Sequence, residues 1–292
     1  MLPTDETIFF QESSFFKHHS LSDLPNVDEI AAAALPGYNR WVSIFPKLSL
    51  AVKRTRRTER YRASAVEGQT MWALRKFLPE VRVPEVYGWR RDGDELFVFM
   101  ELIKGDTLYD RWNDLTEQEK AQIFTELGTM TDALRRLVRP PEEEFIGAIG
   151  GQPMMEQLCF GQISKAFPNS VAFYEFVMRI PFSERERAFE NGSRPLPFES
   201  PIVFTHSDMH AANVFITPRS SNEPPRVLAI IDWEQSGWVP SFWECAKHMY
   251  LLMFEKGQRK EMLERLAKVS GEVPEGVFMA FAEYVHSHGG YM

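Results

Sequence analysis

The sequence predicts an α+β chain of two lobes, a small antiparallel-sheet lobe followed by a larger, mainly helical one. Three observations carry that expectation. Strand-like runs cluster before residue 101 and are joined by short turns, as hairpins are. Apolar residues recur at helical spacing over 116–137 and again beyond 242. A length of 292 residues is close to the size at which one hydrophobic core divides. The expected division is 1–101 and 102–292.

Residues 1–36 are the least legible. Phe9, Phe10, Phe15 and Phe16 predict an element packed on a lobe, and Val27 to Leu35 a short helix stopped at Pro36-Gly37. Arg40 to Ile44 and Leu48 to Lys53 read as strands around Pro46. The basic run Arg54 to Arg62 reads as a solvated connection, because the chain carries a net charge of −8 and its bulk field disfavours nucleic acid and anionic membranes. Ala63 to Leu78 is a predicted helix with Val66, Met71, Leu74 and Leu78 near one face, Glu67 early in it, and Pro79 just beyond. Val81 to Trp89 and Leu96 to Met100 form a predicted hairpin across Asp92-Gly93. Glu101 to Asp106 then reads as the link between lobes.

The second lobe opens with a predicted helix over Thr116 to Leu137, which Pro140-Pro141 ends. The glycines of Phe145 to Gly151 lack a strand-to-helix fingerprint and read as a loop. Residues 152–200 predict one or two helices, including Ser170 to Met178, and a charged run from Glu184 to Glu190. Helices are expected at Phe242 to Phe254, Glu261 to Lys268 and Val277 to Val285. Cys159 and Cys245 sit in apolar-rich segments and read as reduced core thiols. No apolar run reaches the length of a membrane span, and no basic stretch precedes an apolar one at the N-terminus, so the expectation is a soluble, cytoplasmic protein.

The chemistry concentrates between Thr205 and Asp232. Val214-Phe215-Ile216-Thr217 and Val227-Leu228-Ala229-Ile230-Ile231 are strand-like, and the segment between them is turn chemistry. Pairing the two brings Asn213 beside Asp232, with Asp208 in the loop that feeds the pair. Two carboxylates and an amide oxygen suit a hard cation such as Mg²⁺. A carboxylate that can orient a hydroxyl next to such a cation is equipment for phosphoryl transfer, and Asp208 and Asn213 have the Asp-x-x-x-x-Asn spacing of a kinase catalytic loop.

On His206-Ser207-Asp208-Met209-His210-Ala211-Ala212-Asn213 and Ile231-Asp232-Trp233, the chain resembles the aminoglycoside phosphotransferase and choline kinase family. That family carries His-Gly-Asp-x-His-x-x-Asn and Ile-Asp-Trp/Phe. Gly237-Trp238-Val239-Pro240 and Trp243-Glu244 resemble its fungal-type branch. The resemblance implies a protein-kinase-like fold and transfer of the γ-phosphate of ATP or GTP to a hydroxyl of a small metabolite or aminoglycoside-like acceptor. It implies Asp208 as catalytic base, Asn213 and Asp232 as Mg²⁺ ligands, Lys53 on the nucleotide phosphates, Glu67 as its partner, and Leu102 and Ile103 at the adenine-binding link. Ser207 departs from the family's glycine. No Gly-x-Gly-x-x-Gly precedes Lys53, and Asn39, Arg40 and Ser43 are the polar residues near that point. A kinase-fold protein with a degenerate nucleotide site, acting as a binding module or recruited to other secondary-metabolite chemistry, is therefore the alternative. A metal-dependent hydrolase using His206, Asp208 and His210 is a remoter one.

Overall fold

The computed structural model describes residues 1–37, 41–56, 64–139, 145–157, 163–179, 200–274 and 276–287. The first lobe is built on β1 (Ile8–Phe9), α1 (Val27–Ala32), β2 (Val42–Phe45), β3 (Leu50–Arg56), α2 (Val66–Phe77), β4 (Val86–Asp92) and β5 (Glu95–Glu101). The strands form one sheet in the order β1-β4-β5-β3-β2, and every neighbouring pair is antiparallel. The β3–β5 register runs unbroken from Leu50 opposite Glu101 to Arg56 opposite Glu95, with Lys53 opposite Val98.

Helix α2 closes on this sheet at Gly68, where a Cβ would meet the Trp89 ring at 3.0 Å. That close approach seats Glu67, the preceding residue, under the sheet. The N-terminal phenylalanines pack on the same lobe. Phe9 meets Phe99, Phe10 stands edge-on to Trp89, and Phe15 lies against Tyr87. The leading segment is tied down by Gln69 Nε2 donating to Pro3 O and Trp89 Nε1 to Asp5 O.

The second lobe contains β6 (Asp106–Thr107), α3 (Leu108–Arg111), α4 (Glu117–Arg135), β7 (Met154–Glu156), β8 (Ile163–Lys165), α5 (Ser170–Arg179), β9 (Ile202–Thr205), β10 (Val214–Ile216), β11 (Val227–Ile230), β12 (Gly237–Pro240), α6 (Trp243–Leu252), α7 (Gly257–Val269) and α8 (Val277–Ser287). Helix α4 starts at a capping box: Thr116 accepts from the Glu119 N–H, and Glu119 reaches back to the Thr116 N–H at 2.8 Å. Strand β10 pairs with both β11 and β6. No described helix is long and apolar enough to cross a membrane.

Several local readings differ from the structure, among them the helices expected from residue 152, where β7 and β8 pair instead. The strand expected from Val81 begins at Val86. Pro84 cannot donate to a ladder and restricts the residue before it; the Arg82 carbonyl instead accepts from the Ile230 N–H at 2.9 Å, stitching the segment to β11. Strands β9 and β12 were not anticipated, because glycine and proline, here Gly237 and Pro240, are residues that strands generally exclude. They pair over four residues, and Gly237 is required there because a Cβ would lie 2.6 Å from Gly147 O. Ser43 turns away from the region before Lys53: its hydroxyl donates to Ile30 O at 2.6 Å in the interior. Cys159, Asn39, Arg40, most of the basic run and the Glu184 to Glu190 segment lie outside the described residues.

Candidate active site

Lys53 leaves the middle of β3 toward the second lobe, and three carboxylates meet it. Its Nζ lies 2.9 Å from Glu67 Oε2, 2.5 Å from Asp232 Oδ1 and 3.2 Å from Glu234 Oε2. Burial disfavours the ammonium, but Asp232, Glu234 and Glu67 outweigh it and hold Lys53 charged well above the usual lysine range. Burial raises Glu67 to about 7, against the opposing pull of Lys53. Asp232 resists the same burial because Lys53 is closest to it, and its carboxyl falls below the usual range. The Asp232 side chain is 33% exposed, so it opens toward the cleft, whereas Lys53 and Glu67 are enclosed.

The loop after β9 holds Asp208. Ser207 occupies the left-handed region at φ 62, and Asp232 does so at φ 67; with Ser49 they are the described non-glycine residues with positive φ. Two of the three therefore border this site, where backbone strain commonly collects. His206 is buried and both ring nitrogens are engaged. Nε2 meets Ile231 O at 2.9 Å, and Nδ1 accepts the Asp208 N–H at 3.2 Å. Burial lowers His206 to about 4, which makes it a neutral imidazole with the proton on Nε2. Asn213 ends the turn Ala211–Asn213; its Nδ2 donates to Asp208 O at 3.1 Å, and its carbonyl accepts from the Ile231 N–H at 2.9 Å. These bonds place Asp208, Asn213 and Asp232 at one end of the β10–β11 hairpin. Burial raises Asp208 to about 7; Lys247 opposes this, and Asp232, Glu156 and Glu234 add to it.

The two link residues separate. The Leu102 N–H donates to Ser49 O at 3.0 Å, and its side chain packs on the main core. Ile103 lines a cavity of about 490 Å³ with Val81, Val83 and Leu228, whose lining does not include Lys53, Asp208 or Asp232. Ahead of β2, the Leu35 N–H donates to Val42 O at 2.8 Å, and Gly37 has a positive φ of 69.

Sequence reasoning missed Glu234 as a partner of Lys53, although it follows Asp232 by two residues. It also missed Lys247, whose Nζ reaches Ser207 O at 2.5 Å and the two carboxylate oxygens of Glu156 at 2.9 and 3.0 Å. The available signal was the grouping of Glu244, Lys247 and His248 on one helix face.

The donor set fits a hard cation. With Nδ2 committed to Asp208 O, Asn213 keeps Oδ1, an amide oxygen, as a donor atom, and the Asp232 carboxylate is one-third exposed. Among the described residues, the acid and histidine atoms that converge within 4.8 Å are those of Glu67, Asp232 and Glu234, all oxygen donors. A first-row metal held by His206 does not fit, because both of that ring's nitrogens already serve the backbone. The hydrolase reading loses its first ligand on that ground.

A two-lobed α+β chain with this loop and this lysine–acid cluster has the build of a phosphotransferase. A profile of the phosphotransferase enzyme family (APH) matches residues 39–277, and the chain belongs to that family. No curated protein matches the sequence. Among solved structures, the streptomycin–ATP–APH(2″)-IIa ternary complex is 17% identical, with 80% of this chain and 74% of that one covered and a TM-score of 0.46. ADP-bound aminoglycoside phosphotransferase APH(2″)-Ib is 16% identical over 80% of this chain and 74% of that one, at a TM-score of 0.45. At those levels the likeness says nothing about substrate.

Proposed function

We propose that this phosphotransferase moves the γ-phosphate of ATP or GTP to a hydroxyl of a small metabolite or aminoglycoside-like acceptor, in the cytoplasm. The observation that carries the reading is Lys53 held among Glu67, Asp232 and Glu234 at the mouth of the loop that bears Asp208. The proposed lobe boundary falls between Glu101 and Leu102, with the nucleotide between the lobes. Backbone groups of the link, rather than the Ile103 side chain, would meet the adenine. The Gly237-Trp238-Val239-Pro240 and Trp243-Glu244 pairs support the fungal-type branch.

Lys53 binds the α and β phosphates, and their oxygens replace Asp232 as its partner while Glu67 keeps it aimed. Asp232, so released, and Asn213 would hold Mg²⁺, which supplies charge neutralisation when bound. Asp208 orients the acceptor hydroxyl and takes its proton as the new oxygen–phosphorus bond forms and the bond from the γ-phosphorus to the departing nucleoside diphosphate breaks. A group poised at about 7 suits that role, being able to hold and return a proton near neutrality. Alignment and electrostatics supply most of the rate in a loose transition state.

The test is a panel of hydroxylated metabolites and aminoglycosides coupled to nucleotide turnover, run on the native chain and on Asp208→Asn. Turnover of at least one acceptor that Asp208→Asn nearly abolishes supports the proposal. Nucleotide binding with turnover that Asp208→Asn leaves intact contradicts it.

A further inference from the structure

Helix α6 brings three buried polar side chains to the backbone around Asp208. Glu244, Lys247 and His248 stand at i, i+3 and i+4, which places them on one helix face. Lys247 Nζ donates to Ser207 O at 2.5 Å, and His248 Nε2 to Met209 O at 2.6 Å. Burial pushes Glu244 up to about 7, against the pull of Lys247, Arg135 and the backbone N–H groups of Met209 and Ser207. The residues on either side of Asp208 are thus both gripped through their main chains.

The grip is itself braced. His248 is lowered to about 4 by burial, so it is neutral; its Nε2–H serves Met209, and its Nδ1 lies 3.0 Å from Ser270 Oγ, whose hydroxyl also reaches Leu266 O at 2.8 Å. Lys247 is held by both oxygens of Glu156 and by Gln235 Oε1 at 3.3 Å, and Trp243 Nε1 donates to Glu156 Oε2 at 2.9 Å. From Gln235 the chain of bonds continues: Oε1 accepts from the Gln157 N–H at 3.1 Å, Gln157 Nε2 donates to Glu234 at 3.0 Å, and Glu234 meets Lys53.

We infer that the Glu244–Lys247–His248 face of α6 is a positioning device for Asp208, aiming that carboxylate by fixing the backbone of Ser207 and Met209. The inference rests on the reading of Asp208 as the base. An apolar face would pack α6 more cheaply, since buried ionisable groups cost stability unless fully partnered. Ser207 supplies the need: a serine held left-handed at φ 62 does not keep that conformation without outside constraint.

The experiment compares the full chain with Lys247→Met and Lys247→Arg. Readouts are amide hydrogen exchange at residues 206–210, Mg·ATP affinity, and nucleotide turnover. In Lys247→Met, exchange at Ser207 to Met209 is expected to rise by roughly tenfold. Turnover is expected to fall by about 100-fold, the scale of a 1 Å misplacement, with Mg·ATP affinity kept. Lys247→Arg should restore part of the rate. If Lys247→Met does not fold, Glu156→Gln/Lys247→Met, which removes both buried charges, carries the same readouts. Unchanged exchange at Ser207 to Met209, or native turnover, in either folded variant overturns the inference. Asp208→Asn separates the two layers: if it keeps full turnover the base reading fails, whereas if it loses turnover and Lys247→Met does not, only the positioning device fails.

Discussion

The Lys53 ammonium lies 2.5 Å from Asp232 Oδ1, across 179 positions of chain. That pair, with Glu67 and Glu234 around the same nitrogen, makes one cation responsible for three acids. Lys53→Met removes it and leaves Glu67 enclosed beside two like charges. Breaking a buried pair from one side costs on the order of 3 kcal/mol. Because Glu67 already sits at about 7, it can escape by protonation at lower pH. Thermal unfolding of Lys53→Met should therefore show a larger loss at pH 8 than at pH 6. Equal losses at the two pH values would contradict this account of the cluster.

Asp208 makes a prediction of its own. Its carboxyl is raised from 3.8 to about 7 by burial, so the folded chain binds that proton more tightly than the unfolded chain does. The stability this contributes is complete below about pH 4, is retained in part between, and is lost as the pH rises through 7. Asp208→Asn fixes the neutral form. It should leave the melting temperature nearly unchanged at pH 4 and raise it at pH 8 by about 5 °C, given about 2–4 °C per kcal/mol for a domain of this size. A lower melting temperature at pH 8 would show that the Asp208 charge is stabilising instead.

Ser207 stands where related loops carry glycine. Its left-handed backbone costs about 1–2 kcal/mol, and the 2.6 Å hydrogen bond between its hydroxyl and Thr205 Oγ1 returns about 1 kcal/mol. Ser207→Gly relieves the first and loses the second, so denaturant unfolding should place it within about 1 kcal/mol of the native chain. Ser207→Val adds a β-branched side chain at positive φ in a fully buried position and should cost several times more. Equal midpoints for the two variants would mean that the loop does not hold Ser207 left-handed.

A stability control lies far from the cluster. Thr116→Ala removes the cap of α4 and should cost about 1 kcal/mol in a urea titration. Nucleotide affinity should be unaffected, because the capping box touches none of the site residues.

Much of the site was legible because its parts are close in sequence. Asp208, Asn213 and Asp232 fall on a loop and a hairpin whose turn chemistry declares itself, and the structure places them at one end of that hairpin. Lys53 and Glu67 became readable only through the family resemblance; a strand-end lysine and a helix-start acid are otherwise ordinary. Lys247 was hard to read, because its partners, Ser207 and Glu156, lie 40 and 91 residues away and its grouping with Glu244 and His248 on one helix face was the one local signal. Long elements with strong periodicity, such as α4, were placed within two residues. Short strands were misjudged at proline and glycine: the expected strand ran through Pro84, which delays β4, and Gly237 and Pro240 disguise β12, whose existence depends on pairing with β9.

The central claim is that Asp232 and Lys53 together accept a metal-bound nucleotide. Calorimetric titration of ATP and GTP into the native chain and into Asp232→Ala, each with and without Mg²⁺, tests it most directly. The account predicts binding of at least one nucleotide that Mg²⁺ strengthens in the native chain and that Mg²⁺ no longer strengthens in Asp232→Ala. Binding that is indifferent to Mg²⁺ in the native chain, or equally strengthened in both, contradicts it.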